Sequence, residues 1–264
     1  MVDLTGSSLP SALRAAARWR RLGPSRVPAM LAHPDWERGE PVPAVIWMHG
    51  RTVSKEIDPG HYLRLLRAGI GVCAVDLPGH GERFDAALQP PERAWDVVMQ
   101  MIDEIDEIID AVSAEPSFDS RRLGIGGMSA GGMAALARLC FDHPFRCASV
   151  EATSGSWMHQ RHRRMFRDVT DEQIHEHNPI EHLRHWREIP LQAFHAINDE
   201  WVGIEGQKAF LEALRARYAQ PELVELIQYD RTGAPYEHAG FGRHSADAKD
   251  RQAAFFARWL RAGD

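Results

Sequence analysis

The chain of 264 residues is long enough for one large domain, and its hydrophobic content of 44% provides a substantial core. The formal net charge of −6 gives no overall basic field, so we expect no binding to nucleic acid and no attraction to an anionic membrane. No apolar run approaches the ~20 residues that cross a bilayer, and the N-terminus lacks the pattern of a signal peptide. We therefore expect a soluble, cytoplasmic protein.

Six short apolar runs predict buried strands of a parallel sheet, separated by stretches of helical periodicity. The runs are Ala44–Met48, Val72–Val75, Leu123–Gly126, Ala148–Val150, Leu191–Ala196 and Leu223–Tyr229. The clearest helical pattern spans 95–112, and a second apolar helix face lies at 255–260. This alternation from about residue 26 predicts an α/β fold, with a mainly parallel sheet covered by helices on both faces. We expect a single domain over residues 1–264.

The three cysteines, Cys73, Cys140 and Cys147, all lie in apolar stretches that are predicted to be strand or helix. Residues of this kind usually pack as small hydrophobic side chains, and their spacing matches no metal-binding pattern. We therefore expect buried, reduced thiols rather than a disulfide framework.

Residues 155–188 interrupt the alternation, because they lack a strand signal and are rich in His and Arg. We expect one or two helices inserted between two strands, forming a small cap over the binding cleft rather than a separate domain. The insert contains six histidines that invite a metal hypothesis: His159, His162, His175, His177, His182 and His185. Zinc sites usually combine His with Cys or carboxylate ligands, whereas these histidines are interleaved with arginines on polar faces. We expect no metal and no cofactor.

The most informative motif is the Gly-x-Ser-x-Gly sequence of Gly127–Gly131. A predicted strand, 121–126, precedes it, and a predicted helix, 133–139, follows it. A serine on such a tight strand-to-helix turn is held in a strained conformation with its hydroxyl exposed, and small neighbours allow the sharp turn. The context therefore predicts that Ser129 is a nucleophile, rather than a small residue that merely lets a helix pack on a strand.

Four segments together resemble the α/β-hydrolase superfamily. Val45–Gly50 is similar to its strand and His-Gly turn, and Asp76–Arg83 is similar to its Asp-x-x-Gly-His-Gly loop. Gly127–Gly131 resembles the nucleophile elbow, and His195–Val202 resembles the segment that carries the catalytic acid. The closest likeness is to small bacterial carboxylesterases of the dienelactone-hydrolase and prolyl-oligopeptidase-like branch, over roughly residues 40–260. It implies the α/β-hydrolase fold and a triad in the chain order Ser, acid, His.

The resemblance implies that Asp199 is the triad acid. This residue follows an apolar strand in a short polar loop, from which a carboxylate can orient an imidazole and stabilise the imidazolium. Glu151 is a rival, because it ends the strand after the nucleophile helix. Asp76 is expected to hold its own loop beside the nucleophile.

Two histidines compete for the role of base, and we predict His238 over His244. His238 lies in a loop rich in turn formers that resembles the His-Gly-Phe loop of the prolyl-oligopeptidase-like branch, although Ala239 is an extra residue in that pattern. His244 directly precedes Ser245, a candidate helix cap, and some relatives place their base only a few residues before the last helix. A surface loop histidine is the alternative for either.

The oxyanion hole is expected to combine the backbone N–H of Ala130 with an N–H from the turn after Gly50, namely that of Arg51. The Arg51 side chain could equally reach the cleft or remain a solvated surface group. His49 and His80 belong to the turn motifs of the family, and we expect buried hydrogen-bonding histidines at both positions rather than bases.

The predicted function is that of a metal-independent serine hydrolase that cleaves a small-molecule carboxylic ester through an acyl-enzyme on Ser129. Thioester, acyl-peptide or amide cleavage, or acyl transfer, would use the same residues. A non-catalytic ligand-binding module on the same fold is the alternative from another class, since a fold does not determine function.

Overall fold

The computed structural model describes residues 9–37 and 39–261. Within them, eight strands form one sheet in the order β1-β2-β4-β3-β5-β6-β7-β8. The strands are β1 (Ala17–Leu22), β2 (Val27–Ala32), β3 (Val42–Met48), β4 (Gly71–Val75), β5 (Phe118–Met128), β6 (Phe145–Glu151), β7 (Leu191–Ala196) and β8 (Val224–Tyr229). The six strands from β3 to β8 are parallel, which confirms the predicted mainly parallel sheet. Each of the six predicted strands is present, and β7 has the predicted bounds.

The sequence analysis missed the antiparallel edge formed by β1 and β2. The residues of β1 pair in register from Ala17 with Ala32 to Leu22 with Val27. Three arginines interrupt β1 and leave it without an apolar run, but charged side chains are common on edge strands because they hinder pairing with another chain. Sheet formation therefore begins at residue 17 rather than near residue 26.

Helices cover both faces of the sheet. The helices are α1 (Ser11–Ala16), α2 (Pro59–Arg67), α3 (Ala94–Ser113), α4 (Ala130–Arg138), α5 (Asp171–His177), α6 (Ile204–Arg215) and α7 (Ser245–Arg261). The helices α1, α2 and α7 pack on one face, whose core includes Trp47, Tyr62 and Phe256. The helices α3 and α4 pack on the opposite face around Ile46 and Ile105. Because helices cover both faces of the central strands, the sequences of those strands are continuous apolar runs.

The sheet order places a topological switch point at β3, because β4 lies on one side of β3 and β5 on the other. Ligands of open α/β sheets bind outside the carboxyl ends of the strands at such a point. His49 follows β3 directly, and Ser129 follows β5 directly. The topology therefore brings two of the sequence motifs to one crevice.

The segment between β6 and β7 contains the predicted insert. It holds a single α-helix, α5, together with four short 3-10 turns. The helix begins with a capping box, in which Thr170 accepts from the Gln173 amide at 3.2 Å and the Gln173 side chain accepts from the Thr170 amide at 2.9 Å. The insert therefore contains one α-helix, within the one or two helices that the sequence analysis expected.

Candidate active site

Ser129 lies on a strained turn between β5 and α4. Its backbone has φ 51° and ψ −116°, a conformation that L-residues rarely adopt and that typically costs on the order of 1–3 kcal/mol. The Ser129 amide donates to the Glu151 carbonyl at 2.9 Å, and the Thr153 hydroxyl donates to the Ser129 carbonyl at 2.9 Å. These contacts hold the strained backbone and leave the side chain directed away from the sheet.

The glycines of the motif allow a close approach of backbone to backbone. A Cβ added at Gly127 would lie 2.6 Å from the Met48 carbonyl oxygen, and one at Gly131 would lie 2.3 Å from the same oxygen. Both distances are far inside van der Waals contact, and backbone cannot move aside easily. Glycine is therefore required on both sides of Ser129 for the turn to pack against the end of β3.

The structure joins Ser129, His238 and Asp199 in one chain of hydrogen bonds. The His238 Nε2 atom lies 3.1 Å from Ser129 Oγ, and His238 Nδ1 lies 2.8 Å from Asp199 Oδ2. A carboxylate only accepts, so Nδ1 carries the proton and Nε2 accepts from the serine hydroxyl. His238 and Asp199 are 3% and 7% exposed, so solvent barely reaches the bond between them.

Asp199 is oriented by its own loop. Its Oδ1 atom accepts from the Trp201 amide at 2.8 Å and from the Val202 amide at 2.7 Å, which leaves Oδ2 for His238. His195 lies below, with Nε2 2.7 Å from the Val202 carbonyl and 3.6 Å from Asp199 Oδ2. Burial lowers the pKa of His195, so this imidazole is neutral and packs the loop from inside.

The loop that carries His238 is also pinned from within. The Glu237 carboxylate accepts from the Thr232 amide at 2.6 Å and from the Gly233 amide at 2.9 Å. Tyr236 and Glu237 both have positive φ, 55° and 49°. Such strain persists only where surrounding contacts determine the backbone, so His238 is presented from a fixed position.

The other candidate base and acid lie elsewhere. His244 stacks on Tyr229 with ring centroids 4.8 Å apart, in the short turn just before α7. The backbone carbonyl of Glu151 accepts a hydrogen bond from the Ser129 amide. Its carboxyl lies among Asp58, Lys249 and Gln252 near α2 and α7. Burial raises the pKa of Glu151 to about 8.

The predicted oxyanion donors flank Ser129. Ala130 is the first residue of α4, and a Cβ added at Gly50 would lie 3.5 Å from the Ser129 Cβ. His49 fixes the Gly50 carbonyl, because its Nδ1 lies 2.5 Å from that oxygen while its Nε2 accepts from the Leu77 amide at 3.1 Å. In a trans peptide the Arg51 N–H points opposite to the Gly50 carbonyl, so His49 sets the direction of that donor.

The Arg51 side chain is partly buried against the segment that precedes α3. Its guanidinium donates to the carbonyls of Gln89 and Pro90, the second at 3.2 Å, and burial lowers the pKa of Arg51. It therefore ties the turn after β3 to the segment before α3.

A second polar group, the Asp76 cluster, consists of the buried residues His49, Lys55 and Asp76 and the partly exposed Glu82. Asp76 Oδ2 accepts from Lys55 Nζ at 2.8 Å and from the Glu82 amide at 3.0 Å, and Lys55 Nζ reaches Glu82 Oε1 at 2.7 Å. Burial alone would raise the pKa of Asp76, but the ammonium and the backbone amide of Lys55 lower it to about 2. Asp76 thus has the predicted structural role. Lys55 was missed, because nothing in its sequence context distinguishes it from a surface lysine.

His80 completes the turn motifs. Its Nδ1 lies 2.7 Å from the Pro78 carbonyl, and the ring is buried beside that of His49. Both motif histidines are therefore buried and hydrogen bonded, as predicted.

Three histidines of the insert bind polar groups of the insert itself. His175 Nδ1 lies 2.8 Å from Glu181, His159 Nδ1 lies 2.8 Å from Ser156 Oγ, and His182 Nε2 lies 3.0 Å from the His175 carbonyl. Over residues 9–37 and 39–261, no group of three or more His, Cys, Asp or Glu side chains has an arrangement that could hold a metal ion. In the same part of the chain, Cys73, Cys140 and Cys147 are buried and free.

The fold and the elbow define a serine hydrolase of the α/β-hydrolase class. A model of the prolyl oligopeptidase family matches residues 60–263, so the chain belongs to that family.

Sequence relatives and solved structures agree with this placement. Esterase YjfP of Escherichia coli (strain K12) is 28% identical over 202 residues, covering 71% of this chain and 81% of that protein. YitV of Bacillus subtilis (strain 168) is 25% identical over 221 residues, covering 77% and 87%.

Among solved structures, TT1662 from Thermus thermophilus has a TM-score of 0.69 at 19% identity over 94% of this chain and 99% of that one. A puromycin-hydrolyzing peptidase of Mycobacterium tuberculosis has a TM-score of 0.72 at 20% identity over 96% of this chain, which spans only 42% of that peptidase. At these identities the structures share the fold.

Proposed function

We propose that Ser129, His238 and Asp199 are the catalytic triad of an esterase that acts on small-molecule carboxylic esters. The observation that carries the proposal is the unbroken chain of hydrogen bonds from Ser129 Oγ through His238 to Asp199, at 3.1 and 2.8 Å. A serine hydroxyl is a weak nucleophile, and an adjacent base that a carboxylate orients is what activates it.

In the acylation step Ser129 Oγ forms a bond to the carbonyl carbon of the ester, and its proton passes to His238 Nε2. Asp199 stabilises the resulting imidazolium through Nδ1. Collapse of the tetrahedral intermediate breaks the bond to the alcohol oxygen, which leaves with the proton from Nε2. Water then repeats the sequence, with His238 as its base, and releases the acid.

The negative charge of each tetrahedral intermediate is held by the amides of Ala130 and Arg51. Ala130 begins a nine-residue helix whose N-terminus favours negative charge, and the Arg51 amide is oriented by the bond between His49 and the Gly50 carbonyl. Amides fixed before the reaction need no reorganisation when the charge develops, which is why such donors contribute strongly to catalysis.

The relative of similar length is named an esterase, which favours an ester over a peptide as the substrate. This chain covers 81% of the E. coli relative that is named an esterase, but only 42% of the M. tuberculosis peptidase. Acyl-peptide or thioester cleavage remains the second candidate, because a structure described as an acylaminoacyl peptidase shares the fold at a TM-score of 0.69.

The proposal also covers the location, the partners, the cofactors and the domain organisation of the enzyme. We infer a cytoplasmic protein without nucleic-acid partners, since the net charge of −6 gives no basic field. Over residues 9–37 and 39–261, the structure contains no helix with the length and apolar character needed to cross a membrane. The proposed chemistry uses no cofactor, because nucleophile, base and oxyanion donors all belong to the chain. We also infer a single domain over residues 1–264, with 155–188 as its cap.

Labelling with a fluorophosphonate tests the proposal directly. The reagent should modify Ser129, identified by peptide mass spectrometry, and abolish hydrolysis of p-nitrophenyl esters, whereas Ser129→Ala should stay unlabelled. A panel of acyl chain lengths then defines the acid. A protein that binds these esters without turnover and does not react at Ser129 would be a binding module instead.

A further inference from the structure

Two large aromatic side chains lie half in solvent beside the proposed base, and we call Trp201 and Tyr236 the aromatic shelf. Trp201 is 49% exposed and Tyr236 is 56% exposed. Their rings stack with centroids 4.9 Å apart and planes 26° apart. The Trp201 ring also contacts His238, with centroids 5.0 Å apart. Single exposed apolar residues are common on protein surfaces, whereas these two rings stack on each other and one of them contacts the proposed base.

The backbone of the two loops fixes the shelf in this place. The Trp201 amide donates to Asp199, so the indole is built on the loop that carries the acid. Tyr236 adopts positive φ two residues before His238, and its carbonyl accepts from the Glu200 amide at 3.1 Å. Positive φ is unfavourable for an aromatic residue, and here it is maintained with the ring left half exposed rather than buried.

We propose that the aromatic shelf binds the alcohol half of the substrate and makes the enzyme selective for esters whose alcohol carries an aromatic ring. This inference rests on the proposed function of Ser129 and His238. His238 Nε2 must donate to the departing alcohol oxygen, so the alcohol lies next to the imidazole, whereas the acyl group stays on Ser129. The shelf is the aromatic surface in contact with that imidazole, and aromatic rings pack on it in stacked or edge-on geometry.

Three acetate esters separate aromatic recognition from size and from the chemistry: benzyl, cyclohexylmethyl and ethyl acetate. They share the acyl group and a primary alcohol leaving group, and the first two differ chiefly in aromaticity. The parent enzyme should prefer benzyl over cyclohexylmethyl acetate in kcat/KM. Trp201→Ala should lower this preference about tenfold, with a smaller loss of kcat/KM for ethyl acetate than for benzyl acetate.

Conservative and remote variants complete the design. Trp201→Phe and Tyr236→Phe should keep most of the preference, because each retains a ring. Phe141→Ala removes an equally exposed aromatic, 55%, beyond the end of α4 that lies away from Ser129, and should change nothing. An equal loss for all three esters in Trp201→Ala would show that the indole only holds the Asp199 loop. An unchanged preference would show that the alcohol lies elsewhere; either result overturns the proposal.

A binding measurement keeps this inference separate from the proposed function. Ligand-observed NMR should detect benzyl acetate bound to Ser129→Ala, and the additional change Trp201→Ala should remove that signal. If the parent hydrolyses no ester but this binding depends on Trp201, the esterase function fails and the shelf stands. If the parent hydrolyses all three esters and binding is independent of Trp201, only the shelf fails.

Discussion

The proposed triad and the Asp76 cluster contain the same kinds of groups, but their hydrogen-bond chains end at different partners. In each, a buried carboxylate lies beside a histidine at the carboxyl edge of the sheet. Asp76 is enclosed by the Lys55 ammonium and by backbone amides, so its contacts end within the protein. Asp199 leads through His238 to the Ser129 hydroxyl, which can meet a substrate. Burial and a charged partner therefore do not identify a catalytic carboxylate; the end of its hydrogen-bond chain does.

The largest expected effect comes from removing the base. His238→Ala should lower kcat for a p-nitrophenyl ester by about 10⁵- to 10⁶-fold, as loss of the base does in serine hydrolases that use a triad. His244→Ala is the matched control, because its ring stacks on Tyr229 rather than bonding Ser129, and it should leave turnover near the parent rate. Steady-state turnover and the acylation burst measure both. A dead His244 variant with an active His238 variant would reverse the assignment.

The next effect comes from the acid. Asp199→Asn should keep substrate binding but lower kcat about 10⁴-fold, since an amide no longer holds the protonated Nδ1 tautomer of His238. Glu151→Gln provides the comparison, because its carboxyl lies near Lys249 and Gln252, and turnover should change little. A severe loss in the Glu151 variant alone would move the acid to the end of β6.

Ser129 could be predicted from the sequence because the reason for its conformation is local: glycines on both sides permit a turn that other residues would block. The strand β7 could likewise be predicted from its own residues, which are all buried. The choice between His238 and His244 did not depend on local sequence alone, because the distance from each ring to Asp199 depends on how two loops meet across the sheet edge. The burial of Lys55 depends likewise on Asp76, 21 positions away.

A substitution in the Asp76 cluster should lower the free energy of unfolding rather than the turnover rate. Asp76→Asn leaves the buried Lys55 ammonium with the carboxylates of Glu56 and Glu82 but weakens its charge-assisted bond to residue 76, which typically costs about 1.5–3 kcal/mol. Turnover per folded molecule, measured well below the melting temperature, should stay near the parent value. Denaturant unfolding at pH 7 measures the loss. An Asp76 variant that is as stable as the parent but inactive would make this cluster catalytic.

The pH dependence of the same contribution has a definite sign. The pKa of Asp76 is about 2 in the folded protein, below its ordinary value of 3.8, so the stabilisation is present above pH 4 and is lost as the pH falls toward 2. Asp76→Asn should therefore lie furthest below the parent near neutral pH and approach it in acid.

Glu151 shows the opposite pH dependence, because the pKa of its carboxyl is raised rather than lowered. Burial raises the pKa of its carboxyl from 4.5 to about 8, and the hydrogen bond with Gln252 does not offset that burial. The folded state favours the protonated acid, so its contribution is fully present below pH 4.5 and is lost as the pH rises through 8. The parent should therefore lose up to about 4 kcal/mol of unfolding free energy between pH 5 and pH 9 from this one group.

Glu151→Gln keeps the shape of the neutral acid without the ionisation, and its stability relative to the parent should rise over the same range. Glu205→Gln, at a glutamate that is 72% exposed, is the control and should follow the parent at both pH values. Parallel unfolding curves for the parent and Glu151→Gln at pH 5 and pH 9 would mean that the carboxyl reaches water and is not buried near Lys249 and Gln252.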